Sequence, residues 1–311
     1  MDPALNPNAQ HLHKYGHIKI GDHPKLHCNV FYELYGTGPQ KVVFLNGMGT
    51  DRQMWELMVK YFAPKEEFQV LVYDYRGTGF SDDCSMFSIT TRQMALDTIE
   101  LFEALGWNEN INIVGTSMGG MIATELALKI PERIRTLTLC STTSGRTVYK
   151  KEAVFMNIKM LFSKLPEDQI KLAVRELYPQ SWLQGKCIFS DEFETNQDFV
   201  VMNSSRRLKN TKIHGFSTFM GQTLAVMRHY VPPESLKKIG ELFGPKKIYV
   251  VVGTYDNFIP ETDSHYIAAN IGKEACVLDV FEGSGHSIPV QNYNEFCNKI
   301  HALFDQGSVP I

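Results

Sequence analysis

The sequence predicts a mostly parallel, doubly wound α/β sheet broken by one long helical insert. Three observations carry that prediction. Short, nearly continuous apolar runs rich in β-branched residues recur at 42–45, 70–73, 111–114, 134–139, 248–252 and 277–281, as in strands covered on both faces. Between them lie segments with apolar spacing near 3.6, for example Met94, Leu101 and Leu105, and the run 121–128; strands alternating with helices imply right-handed βαβ crossovers. The alternation stops after Leu139, and from about 145 to 212 the chain reads as helical throughout.

Taken in order, residues 1–17 form a polar arm expected to be poorly ordered. The run 29–35 alternates and is closed by Gly36-Thr37-Gly38-Pro39, a strand ending in a turn. The first part of the core covers 18–144. The insert, 145–212, holds predicted helices at 148–164, 167–178 and 192–209. Placed between two sheet strands, it is expected to be a lid over the strand ends, where open α/β sheets bind ligands. The second part of the core, 213–311, starts with a helix over 215–229 and returns to strand and helix alternation after Pro232-Pro233.

Composition narrows the function. The 311 residues suffice for one large α/β domain with an inserted lobe, and 43% hydrophobic with 21% charged residues is ordinary for a globular chain. A net charge of -3 with scattered Lys and Arg leaves no basic field, so nucleic acid is not an expected partner. Cys28, Cys84, Cys140, Cys187, Cys276 and Cys297 stand singly, without C-x-x-C pairs. They read as buried thiols of a reducing compartment, and the expected location is cytoplasmic. Polar residues occupy the N-terminal stretch where a signal peptide needs an apolar core, and no window reaches the ~18 apolar residues of a membrane span. The histidines show no H-E-x-x-H or other metal spacing, so neither a metal nor another cofactor is implied.

The strongest chemical signal is Gly115-Thr116-Ser117-Met118-Gly119-Gly120, between an apolar strand and an apolar helix. A nucleophile on a sharp strand-to-helix turn has a strained backbone, and glycines two residues to either side let neighbouring segments pass without a Cβ clash. With this motif the chain resembles the α/β-hydrolase family from about residue 29 onward, least so in the insert. The resemblance implies the chain order nucleophile, acid, histidine. Asp256 follows the late strand 250–252, and His286 follows the next strand through Glu282-Gly283-Ser284-Gly285. Ser117, Asp256 and His286 are therefore the expected nucleophile, orienting carboxylate and general base. The chemistry needs all three, because a serine hydroxyl is a poor nucleophile until an imidazole takes its proton and a carboxylate fixes the imidazole's tautomer. Among competitors, His265 and His301 lie in helical patterns, Asp263 reads as a first-turn helix residue and Asp279 as a strand residue.

Acyl transfer also needs backbone donors aimed at the developing oxyanion. The elbow supplies the Met118 N–H. The resemblance assigns the Met48 N–H as the second donor, in Asn46-Gly47-Met48-Gly49, with Gly47 and Gly49 permitting the turn. Asn46 stands where the family commonly has His, and an asparagine can still hydrogen-bond the loop. The run 73–81 contains Gly77-Thr78-Gly79 but has Asp82 at the third glycine position of a nucleotide loop, so it reads as a structural loop near the site mouth. Phe155, Met156, Met160, Phe162 and Met202 in the insert, and Phe216, Phe219, Met220 and Met227 after it, read as lid core, with an acyl-pocket lining as the alternative. Lys150, Lys151, Lys159 and Lys164 read as a solvated helix flank.

Ser117 argues against the epoxide hydrolases and dehalogenases that resemble this scaffold, because those use aspartate as nucleophile. The expected reaction is cleavage of a small-molecule carboxylic ester, lactone or monoacylglycerol through an acyl-enzyme. Two alternatives stay open. One is a carbon–carbon bond hydrolase of the same fold, a group that commonly carries Trp after the histidine, where this chain has Ser287. The other is a ligand receptor with an intact triad and slow turnover.

Overall fold

The computed structural model describes residues 6–21, 24–145, 147, 166–212 and 215–309. The predicted strands form and gain one more. The eight are β1 (Leu12–Ile20), β2 (Cys28–Tyr35), β3 (Gln40–Leu45), β4 (Phe68–Tyr73), β5 (Ile111–Thr116), β6 (Ile134–Cys140), β7 (Ile248–Gly253) and β8 (Cys276–Phe281). Their order across the sheet is β1-β2-β4-β3-β5-β6-β7-β8. β2 is antiparallel to both of its neighbours, and every pair from β4 to β8 is parallel. β5 and β7 are buried along their whole length, which is why they read as nearly continuous apolar runs, Asn112 of β5 being a buried amide that donates to Lys41 O and accepts from Thr136 Oγ1.

The described helices are α1 (Glu56–Phe62), α2 (Thr91–Leu105), α3 (Met118–Lys129), α4 (Pro166–Leu177), α5 (Gln180–Leu183), α6 (Asn196–Lys209), α7 (Phe216–Arg228), α8 (Pro233–Leu242), α9 (Glu261–Ile271), α10 (Ile288–Gln291) and α11 (Tyr293–Gln306). Two cores sandwich the sheet. On one face Met94 and Leu101 of α2, Ile122 and Leu126 of α3, Leu236 of α8 and Ile267 of α9 pack together. On the other, Met58 and Phe62 of α1 meet Phe296, Ile300 and Phe304 of α11. Helices on both faces of a mostly parallel sheet make the doubly wound architecture the sequence predicts.

Residues 12–17 depart from the expected polar arm, since they belong to β1, which pairs with β2 from Leu12↔Tyr35 to Ile20↔Cys28. Ladder hydrogen bonds along an edge recruit this strand rather than apolar burial, for only Ile20 of its residues is buried. In the insert, α4 matches its expected span, whereas the helix predicted from 192 begins at Asn196. Thr195 starts it with a capping box: its side chain accepts from Asp198 N, and the Asp198 carboxylate accepts from Thr195 N. The insert has a small core of its own, built from Ile170, Val174, Tyr178, Leu183 and Val200. Arg206 and Arg207 tie α6 to Glu56 of α1. Burial opposes ionisation of Glu56, yet Arg207 and Arg206 hold it below the usual carboxylate range. The helix expected over 148–164, with Phe155, Met156, Met160, Phe162 and the four lysines, lies outside the described residues. Among the described residues no helix is long and apolar enough to cross a membrane.

Candidate active site

Ser117 ends β5 and starts α3 with φ 54° and ψ -121°, a left-handed conformation that a side chain rarely adopts. Surrounding bonds hold it there. Its N–H donates to Cys140 O at 3.0 Å, and its carbonyl accepts from Gly120 N at 2.9 Å and from Thr142 Oγ1 at 2.7 Å. The flanking glycines are there for close approach: a Cβ on Gly115 would lie 2.4 Å from Gly119 O, and one on Gly119 would lie 2.1 Å from Leu45 O. The elbow thus crosses its own helix and the end of β3 with no room for a side chain.

Asp256 and His286 lie on the loops after β7 and β8, at the same end of the parallel strands as Ser117. Their side chains meet, His286 Nδ1 to Asp256 Oδ2, at 2.7 Å. The other carboxylate oxygen of Asp256 accepts from Phe258 N at 2.8 Å and Ile259 N at 2.9 Å, and the residue is 1% exposed. The Phe258 ring also packs against the imidazole, with centroids 4.9 Å apart. The loop before the histidine is braced by Gln291, whose Oε1 accepts from Gly285 N and whose Nε2 donates to Gly283 O. After it, Ser287 meets the insert, since Tyr178 OH donates to Ser287 Oγ at 3.0 Å. The structure therefore joins Asp256 and His286 directly. No hydrogen bond joins the Ser117 hydroxyl to the imidazole among the described residues.

The loop after β3 lies against the elbow, a Cβ on Gly47 falling 3.7 Å from that of Ser117. Asn46 is fully buried and braces this loop by donating from Nδ2 to Tyr73 O at 2.8 Å, while Tyr75 OH donates to Asn46 O. Gly49 takes φ +72°, and Thr50 Oγ1 donates to Gly47 O at 2.8 Å. Among the described residues neither the Met48 N–H nor the Met118 N–H has a hydrogen-bond acceptor. Met118 is in addition the first residue of α3, where orphan N–H groups and the helix dipole favour negative charge.

The competing side chains are engaged elsewhere. His265 pairs with Glu261 within α9, His301 lies near Glu67 and Asp305, Asp263 accepts from Thr147, and Asp279 accepts from Tyr249 OH. The run 73–81 is a buried scaffold loop: Asp74 accepts from Arg52 and from Phe80 N, and Arg76 makes a bidentate pair with Asp97. Burial pushes the Cys28, Cys140 and Cys276 thiols up to about 12, which rules out thiolate chemistry at them near neutral pH. Gln222 of α7 carries no sequence motif, yet its Oε1 accepts from Gly49 N at 2.8 Å. Only the folded chain brings that side chain to the loop.

A family model for the alpha/beta hydrolase fold matches residues 41–178. The "Putative carbamate hydrolase RutD" of Azorhizobium caulinodans is 30% identical over 168 residues, 54% of this chain and 61% of that protein. The chain thus matches about three fifths of that relative's length. Among solved structures, a thermophilic esterase from Thermogutta terrifontis superposes with TM-score 0.73 at 21% identity, covering 94% of this chain and 100% of the other. The meta-cleavage product hydrolase CumD of Pseudomonas fluorescens IP01 superposes with TM-score 0.71 at 16% identity, covering 94% and 99%. Strand order, elbow geometry and these matches agree that the chain has the α/β-hydrolase fold.

Proposed function

We propose that this chain is a serine hydrolase that cleaves carboxylic esters through an acyl-enzyme, with Ser117 as nucleophile, His286 as general base and Asp256 as the carboxylate that orients it. The observation that carries the reading is the buried 2.7 Å pair of His286 Nδ1 and Asp256 Oδ2 at the strand ends that also bear the Ser117 elbow. With Nδ1–H donated to the carboxylate, Nε2 is the free base. It takes the hydroxyl proton as Ser117 Oγ bonds to the substrate carbonyl carbon. The oxyanion is held by the Met48 and Met118 N–H groups. The ester C–O bond then breaks, the proton passes from Nε2 to the leaving alcohol, and water, activated in the same way, releases the acid.

Substrates of this reading are small or medium acyl esters, lactones or monoacylglycerols. A carbamate carbonyl is attacked by the same steps, and the name of the RutD relative favours testing carbamates beside esters. The insert, 145–212, serves as a lid, a role supported by the contact of Tyr178 with the residue after His286. The six unpaired cysteines fit a reducing compartment, hence the cytoplasm. The test is a panel of p-nitrophenyl esters and carbamates with wild type and Ser117→Ala. Turnover falls by roughly 10⁴-fold or more in the variant, and labelling by a fluorophosphonate probe disappears. Stoichiometric labelling that persists in Ser117→Ala overturns the assignment, and tight binding with a single slow turnover points to a receptor instead.

A further inference from the structure

α7 is an apolar helix, FSTFMGQTLAVMR, with two polar residues buried one turn apart. Thr218 Oγ1 donates to Gly77 O at 2.9 Å, and Gln222 Oε1 accepts from Gly49 N at 2.8 Å. Gln222 is 1% exposed and its Nε2 has no partner among the described residues. An unsatisfied buried amide costs about 1–3 kcal/mol. For packing alone a leucine or methionine would serve better there. The cost is borne at a point where the side chain acts on one loop only.

We propose that Gln222 is a positioning residue for the loop that aims the Met48 N–H; this rests on the proposed role of that N–H at the oxyanion. Each peptide unit is planar, so Met48 N–H points opposite to Gly47 C=O. Thr50 Oγ1 holds Gly47 O, which fixes the plane before the Met48 Cα. Gln222 holds Gly49 N–H, which fixes the plane after it. With both planes held, the Met48 N–H has one direction. Gly49, at φ +72°, is otherwise free to rotate, and α7 is itself held by Gly221 packed on Ile89 and by Thr218. The helix that follows the insert thereby sets the geometry of the donor loop.

The test uses Gln222→Met, which keeps the length and removes the acceptor, and Gln222→Glu, which keeps an acceptor. Hydrogen–deuterium exchange at the Gly49 amide is measured with p-nitrophenyl acetate kinetics on the same samples. Expected are faster exchange at Gly49 in Gln222→Met, protection retained in Gln222→Glu, and a kcat lower by about 10- to 100-fold in Gln222→Met with KM within about twofold, below the cost of deleting a donor outright. Wild-type exchange at Gly49 in Gln222→Met overturns the proposal, as does faster exchange with unchanged kcat, a loss confined to KM, or equal loss of protection in both variants. Should wild type and Ser117→Ala be equally inactive, the ester reading fails on its own, while the Gly49 exchange still decides whether Gln222 holds the loop.

Discussion

Replacing Asp256 by asparagine should disable the proposed base while leaving its geometry intact, and the structure says which way the new amide turns. Oδ1 of Asp256 accepts two backbone N–H groups, from Phe258 at 2.8 Å and Ile259 at 2.9 Å, while Oδ2 faces His286 Nδ1 at 2.7 Å. An amide has one acceptor oxygen. Placing the NH₂ against two N–H donors would set donors against donors and leave two buried groups unpaired, at about 1–3 kcal/mol each. The oxygen therefore stays with the backbone, and the NH₂ faces the imidazole. His286 Nδ1 must then accept, so its proton moves to Nε2, the atom meant to take the Ser117 proton. The wrong tautomer costs about 10⁴ in kcat, or ~5.5 kcal/mol of barrier, whereas stability falls only by the ~1–3 kcal/mol of the lost charge-assisted bond. Steady-state hydrolysis of a p-nitrophenyl ester, with urea unfolding of the same samples, reads both quantities. Activity within tenfold of wild type in a folded Asp256→Asn protein would refute the tautomer argument and the role of Asp256 with it.

Two further outcomes follow from packing and burial. Gly119→Ala puts a methyl 2.1 Å from Leu45 O and is expected to cost about 3 kcal/mol or more in urea unfolding, whereas Gly47→Ala, whose methyl meets Ser117 Cβ at 3.7 Å, should keep its stability to within about 1 kcal/mol and lose activity. Equal stability of the two variants would discard the clash argument. Burial lowers His229 to about 4 from 6.5, so its neutral form is favoured on folding; the associated stability is complete above the unfolded value and is lost as pH falls towards 4, about 3 kcal/mol in all. Burial pushes Asp74 in the other direction, upward against the pull of Arg52, and that effect is common to wild type and a His229 variant. The difference between wild type and His229→Gln isolates the histidine: relative to the variant, wild type should lose about 3 kcal/mol from about pH 7 to about pH 4, and a difference constant with pH rejects the assignment.

What the sequence makes legible depends on how local the cause is. The runs 111–114 and 248–252 read as strands because burial on both faces favours apolar residues at nearly every position, and Asn112 is admitted with its amide satisfied by Lys41 O and Thr136 Oγ1. The elbow reads at once because its glycines, its serine and the strand before it lie within ten residues, even though only Gly115 is demanded by a clash inside the motif and Gly119 answers to Leu45 O of β3. β1 does not read, because an edge strand needs only a partner's backbone, and LHKYGHIKI is buried at Ile20 alone. Arg52 looks like a surface residue until Glu33 of β2 and Asp74 after β4 close around it and the Phe31 and Phe80 rings cover its guanidinium. Gln222 is the extreme case, since its partner Gly49 lies 173 residues away and its meaning exists only once α7 crosses the loop. Local strain writes itself into neighbouring letters. A device that aims one peptide from the far side of an insert leaves only a polar letter in an apolar helix, and that mismatch between residue type and burial is the mark by which such a residue is found.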